Sequence, residues 1–331
     1  MRDLIALEEH FALPGTLADS APYAVAGGWQ ELERRLLDLD GIRLAELERH
    51  GVALAILSLN SPGVQAIRHL HTAVDTARHA NDVLAKAVAR HRGRLDGFAA
   101  LPMQDPDAAA LELRRAIEEL GLAGALVNGF SDVEREPGVA YYDGPEYLPF
   151  WAEVERLGVP LYLHPRDPLL TREPILEGRP WLQGSAWAFG IETATHALRL
   201  MTCGLFDRCP RLQIILGHLG EGLPFQAWRI DHRMSRSPRG VPAQRTVSEY
   251  LRRNIHLTTS GQFRTAALRN AIAEVGSERI LFSIDYPFED TAEAVAWFRS
   301  AALSEGERRD IGFTNAARLF PLAPGRAVPT I

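Results

Sequence analysis

Leu157-Gly158-Val159-Pro160-Leu161-Tyr162-Leu163-His164-Pro165 is the stretch on which the reading of the fold turns. A glycine closes the helical pattern that precedes it, a short apolar run follows, and a histidine stands where the run ends. Glycine at a helix end takes up the left-handed backbone without a side-chain clash. An apolar run of this length between such punctuation is strand-sized. The same grammar recurs, with Gly51, Gly121 and Gly276 each falling between a helical pattern and a strand-like run. Working outward, strands are predicted at about 4–10, 52–60, 95–102, 123–130, 159–165, 212–218, 255–261 and 279–285. Helices with apolar residues at i, i+3 and i+4 lie between them, clearest at 107–120 and 265–275. Eight βα units predict an α/β chain closed into a parallel (β/α)8 barrel, the TIM barrel. An open doubly wound sheet is the alternative. It would want a glycine-rich turn after the first strand, which Glu8-Glu9-His10-Phe11-Ala12 does not supply.

A chain of 331 residues has room for one such barrel with insertions, and 1–331 reads as a single domain without linker, repeat or low-complexity tract. Two stretches, 12–29 and 166–186, are too long for simple βα loops; they are expected to wall the pocket, because loops after strands lie on the catalytic face. Residues 303–322 read as a terminal helical piece. The balance of 36 basic and 42 acidic residues leaves a net charge of −6, a poor match for nucleic acid or an anionic membrane. Apolar runs are strand-sized, far short of the ~20 residues of a membrane helix. Met1-Arg2-Asp3-Leu4-Ile5 carries no signal-peptide pattern. Two cysteines, Cys203 and Cys209, cannot make a disulfide framework, so a cytoplasmic location is expected.

A barrel presents its chemistry where strands end. Those positions carry Glu8 and His10, Asn60, Asn128, His164, His218, Ser260 and Asp285. Glu8 and His10 are two apart on a strand and so share a face. With His164 and Asp285 they offer two imidazoles and two carboxylates, a donor set suited to one divalent zinc or manganese ion. Singly each has a plain structural reading: a rim carboxylate, a helix cap, a core imidazole. Their convergence on one mouth favours a metal. His218 opens His218-Leu219-Gly220-Glu221, where Glu221 would hold the imidazole's tautomer. The pair is a proton carrier, a fifth metal contact or a buried hydrogen bond. Asn128 either donates to a substrate hydroxyl or caps a turn. Arg229 either meets a substrate anion or pairs with Asp231. Lys86, the only lysine, sits on a helix face and leaves little room for lysine chemistry. The cysteines, without CxxC spacing, read as core or surface thiols.

Glu8-Glu9-His10-Phe11, Leu126-Val127-Asn128-Gly129-Phe130, Tyr162-Leu163-His164-Pro165-Arg166, Leu216-Gly217-His218-Leu219-Gly220-Glu221, Thr258-Thr259-Ser260-Gly261 and Ser283-Ile284-Asp285-Tyr286-Pro287-Phe288 occur in this order. Together they resemble the amidohydrolase-superfamily decarboxylases, in the branch acting on γ-resorcylate (2,6-dihydroxybenzoate) and 2,3-dihydroxybenzoate. The resemblance runs from Ile5 to about Leu322. It implies a metal-dependent carboxy-lyase, with non-oxidative and reversible loss of CO2 from an ortho-hydroxybenzoic acid. It further implies one divalent metal per subunit, no organic cofactor, and a homo-tetramer built from dimers. Glu8, His10, His164 and Asp285 match the ligand positions, His218 and Glu221 the acid–base pair, and Asn128 and Arg229 pocket positions. Glu8 stands where many of the hydrolases have the first histidine of His-x-His, and Asn128 where binuclear members have a carboxylated lysine. The Ile284 and Tyr286 flanks look more like the 2,3-dihydroxybenzoate enzymes, and His10 like the γ-resorcylate ones. Tyr23 stands where the latter would carry phenylalanine.

An aryl carboxylate leaves readily only once its ring carbon is protonated, and Asp285, helped by His218–Glu221, is the candidate acid. Tyr23, Trp187, Phe189 and Phe288 flank the rim motifs and would line the pocket for a flat ring, with Arg229 selecting the acid. Trp187 and Phe189 could instead pack under the long loop. Two other functions fit the same donor set: a metal-dependent hydrolase of a cyclic ester or amide, and a non-catalytic metal-binding barrel.

Overall fold

A computed structural model describes residues 3–136, 138–169 and 176–320. Part of the second long loop and the last two residues of the expected terminal helical piece fall outside these. Eight strands form one parallel sheet in sequence order: β1 (Leu4–Phe11), β2 (Val52–Leu59), β3 (Leu95–Ala100), β4 (Gly124–Asn128), β5 (Leu161–His164), β6 (Ile214–Leu216), β7 (Ile255–Thr258) and β8 (Ile280–Leu281). A parallel bridge from Leu7 to Ser283 brings β1 back to the segment that continues β8. The (β/α)8 barrel is therefore the fold. A small antiparallel pair, Ser131–Asp132 with Val139–Ala140, follows β4.

Helices start and stop where the sequence places the signals. Asp105 accepts from the amide of Ala108 at the start of Pro106–Glu118, and Thr246–Glu249 forms a reciprocal cap on Val247–Asn254. Gly51 and Gly158 end their helices in the left-handed conformation, at φ 76° and 66°. β1 runs one residue past its predicted end, whereas the other strands stop short of theirs, most of all β7 and β8. Beyond β6 and β8 the rim residues His218 and Asp285 adopt positive φ (51° and 79°), which keeps them out of the ladder.

Two of the three buried clusters divide the side chains of the barrel. Ile5, Leu7, Leu54, Ile56, Phe98, Leu126, Tyr162, Ile215 and Leu281 fill the barrel interior, closed at one end by Phe313, Ala316 and Phe320 of the terminal helical segment. Residues alternating with them, among them Leu4, Ala6, Leu163, Leu257 and Phe282, pack against the surrounding helices. Lys86 is exposed on helix Leu70–Arg90, as expected for a solvated face. No helix among the described residues is long and apolar enough to cross a membrane.

Candidate metal centre and cleft

Glu8, His10, His164 and Asp285 meet at the barrel mouth, each offering a ligand atom within 4.8 Å of the others. His10 Nε2 lies 3.2 Å from Asp285 Oδ1, and His164 Nε2 lies 3.3 Å from Glu8 Oε1. Glu8 and His10 are almost wholly buried. Glu8 Oε1, His10 Nε2 and Asp285 Oδ1 have no hydrogen-bond partner although they are buried and convergent. Buried polar atoms are seldom left so. Two carboxylate oxygens and an imidazole lone pair turned on one point fit a divalent cation, the ion the donor set calls for.

The orientation of each donor has a local cause. His10 Nδ1 lies 3.1 Å from Ser58 Oγ; donating there, it leaves the Nε2 lone pair facing the centre. The other oxygen of Glu8 accepts from the hydroxyls of Tyr162, Thr258 and Ser260. Burial and the Glu8 carboxylate hold the Tyr162 phenol far above its usual range, so it remains a donor. Burial disfavours charge on Glu8, but His218, His164 and His10 outweigh it and hold the carboxyl below the usual range. Burial also keeps the His10 imidazole below its usual value, in the neutral form that binds metals.

His218 Nδ1 pairs with Glu221 Oε1 at 2.7 Å, while Nε2 lies 3.7 Å from Asp285 Oδ2 and 3.8 Å from Glu8 Oε1. Burial opposes protonation of this imidazole, but Glu221, Glu8 and Asp285 prevail and raise it well above the usual histidine range. Glu8, His218, Leu219, Glu221 and Asp285 account for five of the six non-glycine residues at positive φ among those described. Backbone strain concentrated in this way marks a functional site.

A cleft of about 850 Å³ opens beside His218 and Glu221, lined also by Trp187, Phe189, Phe225, Gln226 and Ile230. Trp187 is 57% exposed. Phe189 meets Tyr23 edge-on at 5.2 Å, and Phe288 stands edge-on to His10 at 5.7 Å. The Tyr23 hydroxyl donates to Asp167 Oδ2 at 2.8 Å and is thereby engaged away from the centre. The Asn128 amide nitrogen points at the carbonyls of Asn60 and Pro62, both at 3.4 Å, which is capping geometry, while its Oδ1 has no partner. Within this chain Arg229 is exposed on helix Leu223–Arg236, whose cleft-facing turn presents Gln226 and Ile230, and it does not line the cleft. Nor does it pair with Asp231, which accepts from the amides of Val247 and Ser248 at 2.7 and 3.1 Å. Cys203 and Cys209 take no part in the centre.

Ser58, Tyr162 and Thr258 had no assigned role from sequence. The signal was available: each lies two residues before a strand-end residue, Asn60, His164 or Ser260, and so faces the same interior.

The sequence profile of a family described as amidohydrolase matches residues 55–322. A γ-resorcylate decarboxylase from Rhizobium radiobacter is 54% identical over 324 residues, covering 97% of this chain and 99% of the relative. A solved 2,6-dihydroxybenzoate decarboxylase bound to 2,6-dihydroxybenzoate superposes with a TM-score of 0.94 at 54% identity, over 96% of this chain and 99% of the other. A dihydroxybenzoic acid decarboxylase from Polaromonas sp. JS666, holding manganese and the inhibitor 2-nitroresorcinol, gives 0.96 at 52% identity, over 99% and 100%.

Proposed function

The chain belongs to the amidohydrolase family, and from that premise we propose that it is a metal-dependent carboxy-lyase removing CO2 from 2,6-dihydroxybenzoate without oxidation. The observation that carries the reading is the convergence of Glu8, His10, His164 and Asp285, with three of their donor atoms unpartnered, beside a cleft with aromatic walls. A manganese or zinc ion would be held by these four residues, one per subunit. When bound there, it supplies positive charge to the carboxylate and ortho oxygen of the substrate. No organic cofactor is needed, because the electron pair of the broken bond is taken up by the ring.

The protein's part is to place the ring and move one proton. Tyr23, Phe189, Trp187 and Phe288 provide flat apolar contact, and Asn128 Oδ1 is the free polar atom for a ring hydroxyl. Asp285 delivers a proton to the ring carbon bearing the carboxylate. The carbon–carbon bond then breaks, its electron pair returns to the ring, and CO2 departs. His218, with its second nitrogen held by Glu221, lies near enough to Asp285 to restore that proton. The same steps run backwards carboxylate a phenol. We further propose cytoplasmic residence and assembly into homo-tetramers built from dimers.

The test is turnover of metal-loaded protein with 2,6- and 2,3-dihydroxybenzoate, benzoates lacking the ortho hydroxyl, lactones and amides, following CO2 and hydrolysis separately. The reading requires CO2 from the ortho-hydroxy acids alone; hydrolysis of a lactone or amide instead would refute it.

A further inference from the structure

Glu9 stands between two of the ligands, yet the site as described gives it no task. It is 1% exposed. Its position follows from an irregularity in β1. In the pairing with β2, Leu7 opposes Ile56 and Glu9 opposes Leu57, so Glu8 is an extra residue in the ladder, with φ at 63°. Ile5 and Leu7 already face the barrel interior. Strict alternation from them would send Glu8 and His10 outward, and the bulge at Glu8 resets the phase so that both reach the metal centre.

The bulge also interrupts the seam that closes the barrel. Leu7 bridges to Ser283, and the amide of His10 donates to the carbonyl of Tyr286 at 2.6 Å. Between those two contacts the amides of Ile284 and Tyr286 face a backbone that has bulged away. Glu9 meets both: Oε1 accepts from Ile284 N at 3.0 Å, and Oε2 from Tyr286 N at 3.3 Å. A side chain thus does the work of a missing ladder partner for two buried donors. The residue enclosed between those amides is Asp285, held at φ 79°. Arg43, equally buried, lies 4.6 Å over the Tyr286 ring and donates to the His10 carbonyl, bracing the same seam.

We propose that Glu9 is a positioning residue for Asp285. By gripping the amides on both sides of Asp285, it keeps that residue in its left-handed backbone conformation with the carboxylate turned toward His10 and His218. This rests on the reading of Asp285 as the proton donor, so the experiment includes a variant that tests that reading alone.

Glu9→Gln, Asp285→Asn and the double variant are prepared with manganese, and metal content, melting temperature, kcat and KM for 2,6-dihydroxybenzoate are measured on each. Amide exchange of the peptide spanning Ile284 to Tyr286 is followed in parallel. Glutamine keeps one acceptor but turns an NH2 group toward the second amide. Expected for Glu9→Gln are full manganese occupancy, faster exchange in that peptide, and a kcat lower by about 10–100-fold, as for other groups that orient a ligand. KM should change little. In the double variant kcat should fall no further than in Asp285→Asn, because the two act as one unit.

An unchanged kcat at full occupancy, with only the melting temperature lowered, would make Glu9 a seam residue and overturn the proposal. Rescue of kcat by excess manganese would overturn it too, since the defect would then lie in metal affinity. A near wild-type rate in Asp285→Asn refutes the premise instead, and is read without reference to Glu9. Should Glu9→Gln fail to fold, Glu9→Asp, which keeps the carboxyl group on a shorter arm, carries the same measurements and the same expected loss.

Discussion

Asp285 is asked to do two things that oppose each other, because a carboxylate bound to a cation is a poor proton donor. Its two oxygens face different neighbours: Oδ1 lies 3.2 Å from His10 Nε2, and Oδ2 lies 3.7 Å from His218 Nε2. One oxygen is thus placed with the ligands and the other with the proton carrier. Asp285→Asn separates the duties, since it keeps one oxygen donor and removes the acid. At saturating manganese its kcat should be lower by about 10²–10⁴-fold, the range of a general acid, with KM nearly unchanged. Recovery of most of the rate on adding metal would show that coordination was its main task. The ligands themselves are tested by metal content. His10→Ala and His164→Ala should each lose most of their bound manganese, whereas Cys203→Ala and Cys209→Ala should keep it, as elemental analysis of the purified variants would reveal. Full occupancy in both histidine variants would remove the site.

At the scale of elements, the strand ends matter more than the strands. The order of the eight strands could be read from residue pattern, because apolar runs and glycine stops are local properties of the chain, and the four proposed ligands from their place at or near the predicted strand ends. The bulge at Glu8 could not, since it exists only in the pairing of β1 with its neighbours. Nor could the early ends of β6 and β8, where His218 and Asp285 leave the ladder to reach the centre. That Ile230 and not its neighbour Arg229 faces the cleft of this chain was illegible for a related reason, since which side of a helix faces a cleft is decided by packing. The network behind Glu8 is likewise a meeting of elements, with Tyr162 from β5, Thr258 from β7 and Ser260 just after it converging on one oxygen. Tyr162→Phe deletes a single hydroxyl from this network and leaves the ring in the interior cluster. Manganese affinity should weaken by about 10–100-fold, as for other groups that orient a metal ligand, while the melting temperature stays close to wild type. Titration with manganese by calorimetry decides it, and an unchanged dissociation constant would show that Thr258 and Ser260 suffice.

For the molecule as a whole, acid should be a greater threat away from the mouth than the surface ion pairs suggest. His196 and His256 are both buried, and each accepts a hydrogen bond on Nε2: His196 from the Tyr142 amide at 3.3 Å, His256 from Arg279 at 3.0 Å. Burial, with Arg199 near the first and Arg279 near the second, depresses both to about 3. The folded values lie below the unfolded value of about 6.5, so the unfolded chain takes up protons first as pH falls. The stability tied to neutral histidine is therefore complete above about pH 6.5 and is lost progressively as pH falls toward 3. Each group costs up to about 1.4 kcal/mol per pH unit in that window. The pair would remove roughly 5 kcal/mol between pH 6.5 and 4.5, which is comparable with the whole margin of a folded protein, about 5–15 kcal/mol. Paired carboxylates such as Glu153, lowered to about 2 by its bond to Arg156 against burial, stay ionised throughout that range. Glutamine can present an oxygen to the same two donors without titrating. In chelator-treated protein, so that loss of metal does not enter, His196→Gln/His256→Gln should show a clearly flatter fall of the urea midpoint between pH 6.5 and 4.5 than wild type. Equal slopes in the two proteins would mean that the acid sensitivity arises elsewhere, with the histidines of the centre the next groups to replace.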